Sequence, residues 1–165
     1  MTPIDRRLAE LAAQAGVTIE EVFLPGRDGD YQHARRLIRL RPGMTARRHR
    51  SVLAHELAHC AYGDVPSSSP HVTAKQERRA DEWAALRLID PEQYRLVERL
   101  HSGHPGGMAL ELGVLRSIVD AYARVLARGV ALTAFRETAD TTTAPGGPLA
   151  VSVRPGAVGC QRNSL

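Results

Sequence analysis

Apolar residues recur at helical spacing at the start of the chain. Within residues 3–15 they fall on one face of a helix, formed by Ile4, Leu8, Leu11 and Ala12, and Gly16 is the expected end of that helix. Two strand-like runs follow at residues 17–26 and 30–43, and the stretch PGRDGD that joins them is rich in turn-forming residues. The pattern predicts a short helix followed by an antiparallel β-hairpin.

The apolar pattern after the second run is helical. Thr45 is expected to cap a long helix, and Gly63 to end it. A second helix is expected to begin near Thr73, with Gln76 as its capping-box partner. Pro91 suits the first turn of the helix after that, because proline lacks an N–H group that the first turn leaves unpaired anyway.

The chain is long enough for one compact domain. It has 165 residues, of which 43% are hydrophobic and only 4% aromatic, so its core should consist of aliphatic side chains and alanine. Residues 108–129 carry a last apolar stripe, typical of one helix or a helix pair, whereas residues 137–165 are rich in Thr, Gly and Pro. We expect a mostly helical α+β domain over residues 1–136, with its small antiparallel sheet packed on the helix after Thr45, and a disordered tail over residues 137–165.

The sequence contains no stretch that is typical of a membrane or secreted protein. No run of 18 apolar residues occurs, and the first 16 residues are charged and lack the apolar centre of a signal peptide. The two cysteines, Cys60 and Cys160, are too few for a disulfide framework. These features predict a cytoplasmic protein, and they do not indicate an oligomeric state.

Basic residues are concentrated in one region. The net charge is +4, and seven arginines lie between Arg35 and Arg50, which could attract nucleic acid or an acidic partner. The aromatic residues that alternate with basic ones in a nucleic-acid platform are missing from this region. The pattern favours a solvated basic surface over direct binding of nucleic acid.

The stretch SVLAHELAHCAYG, residues 51–63, contains the pattern His-Glu-x-x-His at His55, Glu56 and His59. In a helix, residues four apart lie on the same face, so both imidazoles can reach one metal ion. Glu56 lies one position further round the helix, where it can reach a water molecule at that ion. This arrangement is typical of zinc hydrolases.

Zinc in a catalytic site takes three protein ligands and keeps one position for water. Tyr62 and Val65 stand where a metzincin has a glycine and its third histidine, so that class is excluded. The next predicted helix supplies Glu77 and Asp81, again four residues apart. Glu77 can bind the metal, and Asp81 can accept a hydrogen bond from the far nitrogen of a ligating histidine. Two imidazoles and one carboxylate suit Zn²⁺, although other transition metals fit the same ligands.

The stretch HELAH, followed by ERRADEWAALRLIDP, resembles the ImmA/IrrE family of metallopeptidases over about residues 17–91. That family has a hairpin, a His-Glu-x-x-His helix and a helix that reads roughly Glu-x-x-Ala-Asn-x-Phe-Ala-Ala. The chain departs from this pattern with Asp81 in place of asparagine, Trp83 in place of phenylalanine, and Arg87 with a displaced Pro91 at the end of the helix.

The resemblance implies a zincin-like core and a role for each residue of the motifs. His55, His59 and Glu77 would be the zinc ligands, Glu56 the catalytic base and Asp81 a partner of one ligand. A further group usually stabilises the oxyanion. The first candidates for it are His71 and Tyr62, and the others are Tyr94, His101 and His104.

Members of this family act inside the cell, typically on a helix-turn-helix repressor, and many are encoded beside that repressor in mobile elements. The resemblance therefore implies a regulatory protease with a narrow specificity. An interaction module, such as a toxin–antitoxin component, is the alternative, and it would need only the zinc ligands. Glu56 is required for hydrolysis alone, so its presence favours the enzyme. A third alternative, a DNA-binding regulator, would bind DNA with a strong dependence on salt.

Overall fold

The computed structural model describes residues 2–129, and in that part of the chain the fold is α+β, as predicted. Its order is α1 (Pro3–Gln14), β1 (Thr18–Glu21), β2 (Gly29–Gln32), β3 (Leu37–Leu40), α2 (Ala46–Tyr62), α3 (Pro70–Leu88), α4 (Pro91–Leu100), α5 (Pro105–Glu111) and α6 (Arg116–Ala127). The expected boundary between domain and tail, at residues 136 and 137, lies outside the described residues. Among the helices of residues 2–129, none is long and apolar enough to cross a membrane.

The sheet differs from the predicted antiparallel hairpin. Its strand order is β1-β3-β2, with β1 parallel to β3 and β2 antiparallel to β3. The hairpin prediction was wrong because the second apolar run is not one strand. It turns back on itself through the short 3-10 helix His33–Arg35, and Arg36 ends that turn in the left-handed conformation with φ of 48°. The hairpin lies within this run, and β1 pairs with the far side of β3.

The central strand β3 anchors the sheet to the helices. Leu37, Ile38 and Leu40 are all buried, because β3 pairs on both sides and one face of the sheet packs on α2. β2 lies at one edge of the sheet, next to β3, and it also contacts α2. This packing places the start of β2 beside the middle of α2.

The ends of α2 agree with the sequence prediction. The Thr45 hydroxyl accepts a hydrogen bond from the backbone N–H of Arg48 at 3.3 Å, and Gly63 ends the helix with a left-handed φ of 63°. The expected α4 start is also confirmed, since Pro91 lies in its first turn after an Asp90 cap. The caps therefore set the length of the helix that carries His-Glu-x-x-His.

The start of α3 was predicted three residues too late. The helix begins at Pro70, with Ser69 as its N-cap, and not near Thr73. Proline is favoured at the first helical position, and its fixed φ already suits the helix. Thr73 lies inside the first turn, where its hydroxyl donates to the carbonyl oxygen of Ser69 at 3.2 Å, and Gln76 donates to the carbonyl oxygen of Val65 at 3.2 Å.

The helices α2, α3 and α6 form the centre of the helical packing, and α3 contacts both of the others. Small side chains line the contact between α2 and α3, and four of them have no exposed surface: Ala54, Ala58, Ala80 and Ala84. Alanine at these positions lets the two backbones approach closely. The residues of His-Glu-x-x-His and those of the next helix therefore lie across a narrow gap from each other.

Candidate metal centre and active site

Three of the residues singled out in the sequence lie together between α2 and α3. The Nε2 atoms of His55 and His59 are 3.0 Å apart. Glu77 reaches across from α3, with its Oε2 atom 3.1 Å from Nε2 of His55 and its Oε1 atom 3.6 Å from Nε2 of His59. The helical spacing in α2 and the close packing of α3 thus bring two imidazoles and one carboxylate to a single point.

Each histidine also has a carboxylate partner at Nδ1, on the side of the ring away from the cluster, and this partner orients the ring. Oδ1 of Asp81 lies 2.9 Å from Nδ1 of His55, and Oδ2 of Asp64 lies 2.9 Å from Nδ1 of His59. An ionised carboxylate can only accept, so each Nδ1 is the donor, and the Nε2 atom of a neutral ring is left with a free lone pair. Both lone pairs are directed to the point that Glu77 also reaches.

Asp64 was missed in the sequence analysis. It follows Gly63, the residue in left-handed conformation that ends α2, and this turn directs the chain back toward His59. The Asp64 side chain is 8% exposed and also pairs with the guanidinium of Arg79 on α3. A carboxylate directly after the helix-ending glycine is the only signal in the sequence, and it is weak because acidic residues are common in loops.

The residues fit a zinc ion. Tetrahedral zinc at about 2.0–2.1 Å from nitrogen and oxygen ligands requires ligand atoms about 3.4 Å apart. The three observed separations, 3.0, 3.1 and 3.6 Å, bracket that value. When both rings are neutral, their two Nε2 atoms and the Glu77 carboxylate present three acceptors and no donor at this point, so a cation is needed to make the arrangement favourable.

The electrostatics of the cluster also favour a positive charge. Burial disfavours the charged form of His55, but hydrogen bonds to Asp81 and Glu77 outweigh that effect and raise its pKa to about 10. The hydrogen bond with His55 lowers the pKa of Glu77. In the absence of a metal, a proton on His55 supplies the cation that the carboxylates stabilise, and a bound metal takes over that role.

Glu56 lies beside the cluster and has a different environment. It is 7% exposed, and burial raises the pKa of its carboxyl to about 7 although the nearby His55 opposes the shift. Glu56 and His55 together line one end of a cavity of about 250 Å³. A carboxyl that exchanges its proton near neutral pH at the edge of a cavity has the properties of a general base.

The five candidates for an oxyanion stabiliser have different surroundings. Tyr62 is 39% exposed and stacks on Arg79, whose guanidinium carbon lies 3.9 Å from the ring centre. Because Arg79 pairs with Asp64, and Asp64 contacts His59, these contacts link Tyr62 to the cluster. His71 is exposed in the first turn of α3.

The remaining three candidates have structural contacts away from α2. Tyr94 is buried against Tyr122, His104 caps α5 through the N–H of Gly107, and the ring of His101 packs on the same glycine. Of the five, Tyr62 is the one whose contacts lead to the cluster.

Comparison with known proteins identifies the family. The peptidase M78 family model, described as the IrrE N-terminal-like domain, matches residues 12–116, a range that includes the whole cluster and Glu56. The comparison with curated proteins found no match. The match covers well over half of the chain and agrees with the resemblance seen in the residues around His55 and Glu77. This protein therefore belongs to the M78 peptidase family, the ImmA/IrrE family, through its IrrE N-terminal-like domain.

Proposed function

We propose that this protein is a zinc-dependent endopeptidase that cleaves a specific protein inside the cell. The observation that carries the proposal is the convergence of His55, His59 and Glu77, with a buried Glu56 beside them. Membership of a peptidase family supports the reaction class. The presence of Glu56 favours an enzyme over a binding module, because metal binding does not require it.

Each residue has a separate task in the proposed mechanism. His55, His59 and Glu77 would hold the zinc ion, while Asp81 and Asp64 keep the two rings in the orientation that binding requires. When bound, zinc supplies Lewis-acid activation of water and of the scissile carbonyl group. Glu56 takes the proton of the attacking water and delivers it to the leaving amine. A pKa near neutrality suits a group that must both accept and release this proton.

We further propose that the substrate is a helix-turn-helix transcriptional repressor. The support is the resemblance to the ImmA/IrrE family, whose members typically act on such repressors. Expression of the protein together with a helix-turn-helix repressor from the same genome should yield fragments of the repressor, and the Glu56→Gln variant should yield none. A repressor that stays intact while it binds wild type and Glu56→Gln equally would indicate an interaction module instead.

The metal content tests the proposed centre directly. We expect mass spectrometry to find about one zinc ion per chain in the wild type and in Glu56→Gln, because the ligands are unchanged in both. His55→Ala and Glu77→Ala should each lose most of the metal. A wild-type protein that binds no zinc after reconstitution would contradict the peptidase function.

A further inference from the structure

Two cavities along α2 share a wall, and one of them reaches the proposed metal centre. The first, of about 250 Å³, contains His55 and Glu56 at one end. The second, of about 330 Å³, lies next to it, and both are lined by Asp28 and Leu115. Together they form a cleft along the N-terminal half of α2, which we call the α2 cleft.

The end of the α2 cleft next to Glu56 has one apolar wall, and the carboxylates of Glu56 and Asp81 also line this cavity. Its walls include Val52 from α2, and Leu115 and Ile118 from the start of α6. The buried Ser51 hydroxyl in this wall is engaged on both sides: it donates to the carbonyl oxygen of Arg47 and accepts from the N–H of Leu115, each at 2.9 Å. The space beside Glu56 thus suits an aliphatic or other apolar side chain.

The other end of the α2 cleft is basic. Arg41 and Arg48 share the carboxylate of Asp28, with nitrogen–oxygen distances of 3.4 and 2.5 Å. Arg47 lines the same cavity, and within residues 2–129 its guanidinium has no carboxylate partner. Three arginines and a single carboxylate therefore line this cavity, and the excess of positive charge favours an acidic group at this end.

The helix sets the distance between the two ends. Glu56, Val52 and Arg48 follow each other at intervals of four residues along α2. At 1.5 Å of rise per residue, Val52 lies about 6 Å and Arg48 about 12 Å along the helix axis from Glu56, and Arg47, one residue before Arg48, lies about 13 to 14 Å from it. An extended peptide advances about 3.3 Å per residue, so a distance of about 12 to 14 Å corresponds to about four residues of substrate.

We infer that the α2 cleft selects the sequence around the scissile bond. It accepts an apolar side chain within about two residues of that bond, and an aspartate or glutamate about four residues from it on the same side. This inference rests on the proposed peptidase function and specifies its substrate: an unfolded or extended segment that carries an apolar residue followed or preceded by an acidic one at this spacing. Arg47 is the specificity-determining residue for the acidic side chain.

The matched pair Arg47→Glu and Arg99→Glu tests the inference. Arg47 has no ion pair to lose within residues 2–129, and glutamate is favourable in the first turn of a helix, so Arg47→Glu should fold, as circular dichroism can verify. Arg99 is exposed on α4 and likewise has no carboxylate partner in the described part of the chain, which makes Arg99→Glu the control.

The readout is the cleavage of a mixed library of unstructured peptides by the zinc-loaded full-length protein, with the cut sites identified by mass spectrometry. Wild type and Arg99→Glu should cut within about two residues of an apolar residue, with Asp or Glu enriched about four residues from the cut bond on the same side. Arg47→Glu should lower that acidic enrichment by roughly three- to tenfold. The variant replaces an attraction between Arg47 and the acidic side chain with a repulsion, and partly exposed charge pairs have effects of about this size. Cut sites without the acidic enrichment, or an enrichment that Arg47→Glu leaves unchanged, would overturn the inference while the peptidase function stands.

Binding separates the inference from the proposed function. Two fluorescent peptides, identical except for Glu or Lys about two positions from a single leucine, can be titrated with zinc-loaded Glu56→Gln, because binding requires no cleavage. Glu56→Gln should bind the Glu peptide more tightly than the Lys peptide, and the double variant Glu56→Gln, Arg47→Glu should reverse that order. This result supports the selection even if wild type cuts no peptide, an outcome that would contradict the peptidase function alone. Equal affinity for both peptides would contradict the selection.

Discussion

The backbone of Gly29 lies directly against the side chain of Glu56. A Cβ atom at position 29 would be 3.1 Å from Oε1 of Glu56 and 2.6 Å from Cγ1 of Val52. Gly29 is the first residue of the edge strand β2, so the absence of a side chain here lets the strand approach α2 beside the proposed base. The contact helps to bury Glu56, and burial is the cause of its raised pKa.

Gly29→Ala should therefore destabilise the protein. The added methyl group cannot fit at 2.6 Å from Val52, and overpacking of this kind costs about 1–3 kcal/mol. Urea unfolding would measure the loss, and Gly29→Ala combined with Val52→Ala should recover part of it, because the second change removes the closest contact. Equal stabilities of Gly29→Ala and wild type would show that β2 can move away at no cost.

Asp64 should matter for metal affinity although it is not a ligand. Its carboxylate accepts from Nδ1 of His59 and pairs with Arg79, so Asp64→Asn removes the charge that orients the ring. Loss of such a partner typically lowers metal affinity by about 10- to 100-fold. Competition with a chromogenic chelator would measure the zinc affinity.

The control for Asp64→Asn is Asp120→Asn. Asp120 forms an exposed ion pair with Arg116 on α6, so its replacement removes an ordinary surface carboxylate. We expect Asp120→Asn to bind zinc as the wild type does. Indistinguishable affinities for the two variants would mean that Asp64 does not orient His59.

Glu56 should make the stability of the metal-free protein depend on pH. Burial raises the pKa of its carboxyl from 4.5 to about 7 in the folded state, so the folded protein holds this proton more tightly than the unfolded chain does. Stability from this group is fully present below pH 4.5 and is lost as pH rises to about 7. Glu56→Gln should match wild type near pH 4 and exceed it above pH 7, by at most roughly 3 kcal/mol.

Chemical unfolding of the chelator-treated protein across this pH range would test the expectation. Glu111→Gln, which changes an exposed carboxyl at the end of α5, is the matched control and should follow the wild-type profile. A constant difference between Glu56→Gln and wild type at all pH values would contradict a raised pKa.

Ser51 should stabilise the wall of the α2 cleft. Its hydroxyl is 1% exposed and connects α2 to the start of α6 through the N–H of Leu115. Ser51→Ala leaves that N–H without its acceptor, which costs about 1–3 kcal/mol when the group stays buried. Urea unfolding should show this loss, whereas Ser117→Ala, a change at an exposed serine nearby, should cost less than about 0.5 kcal/mol. Similar values for both variants would contradict a structural role of the Ser51 hydroxyl.

Local patterns were sufficient to predict the helices and the relative positions of residues within one helix. Thr45 and Gly63 mark the ends of α2 because capping depends on the chemistry of neighbouring residues alone. The shared face of His55 and His59 follows in the same way from the 3.6-residue repeat. Where two local signals competed, as at the start of α3, Pro70 prevailed over the expected start at Thr73.

Relationships between distant segments were decided only by the tertiary structure. The parallel pairing of β1 with β3, the turn of the chain that brings Asp64 to His59, and the hydrogen bond from Leu115 to Ser51 depend on how the whole core packs. The raised pKa of Glu56 likewise arises from burial, in part by the close approach of Gly29, and no spacing along the chain encodes it. The sequence by itself determined which residues share a helix face, because the 3.6-residue repeat of the helix sets the faces. The packing of sheet and helices determined their partners and their electrostatic environment.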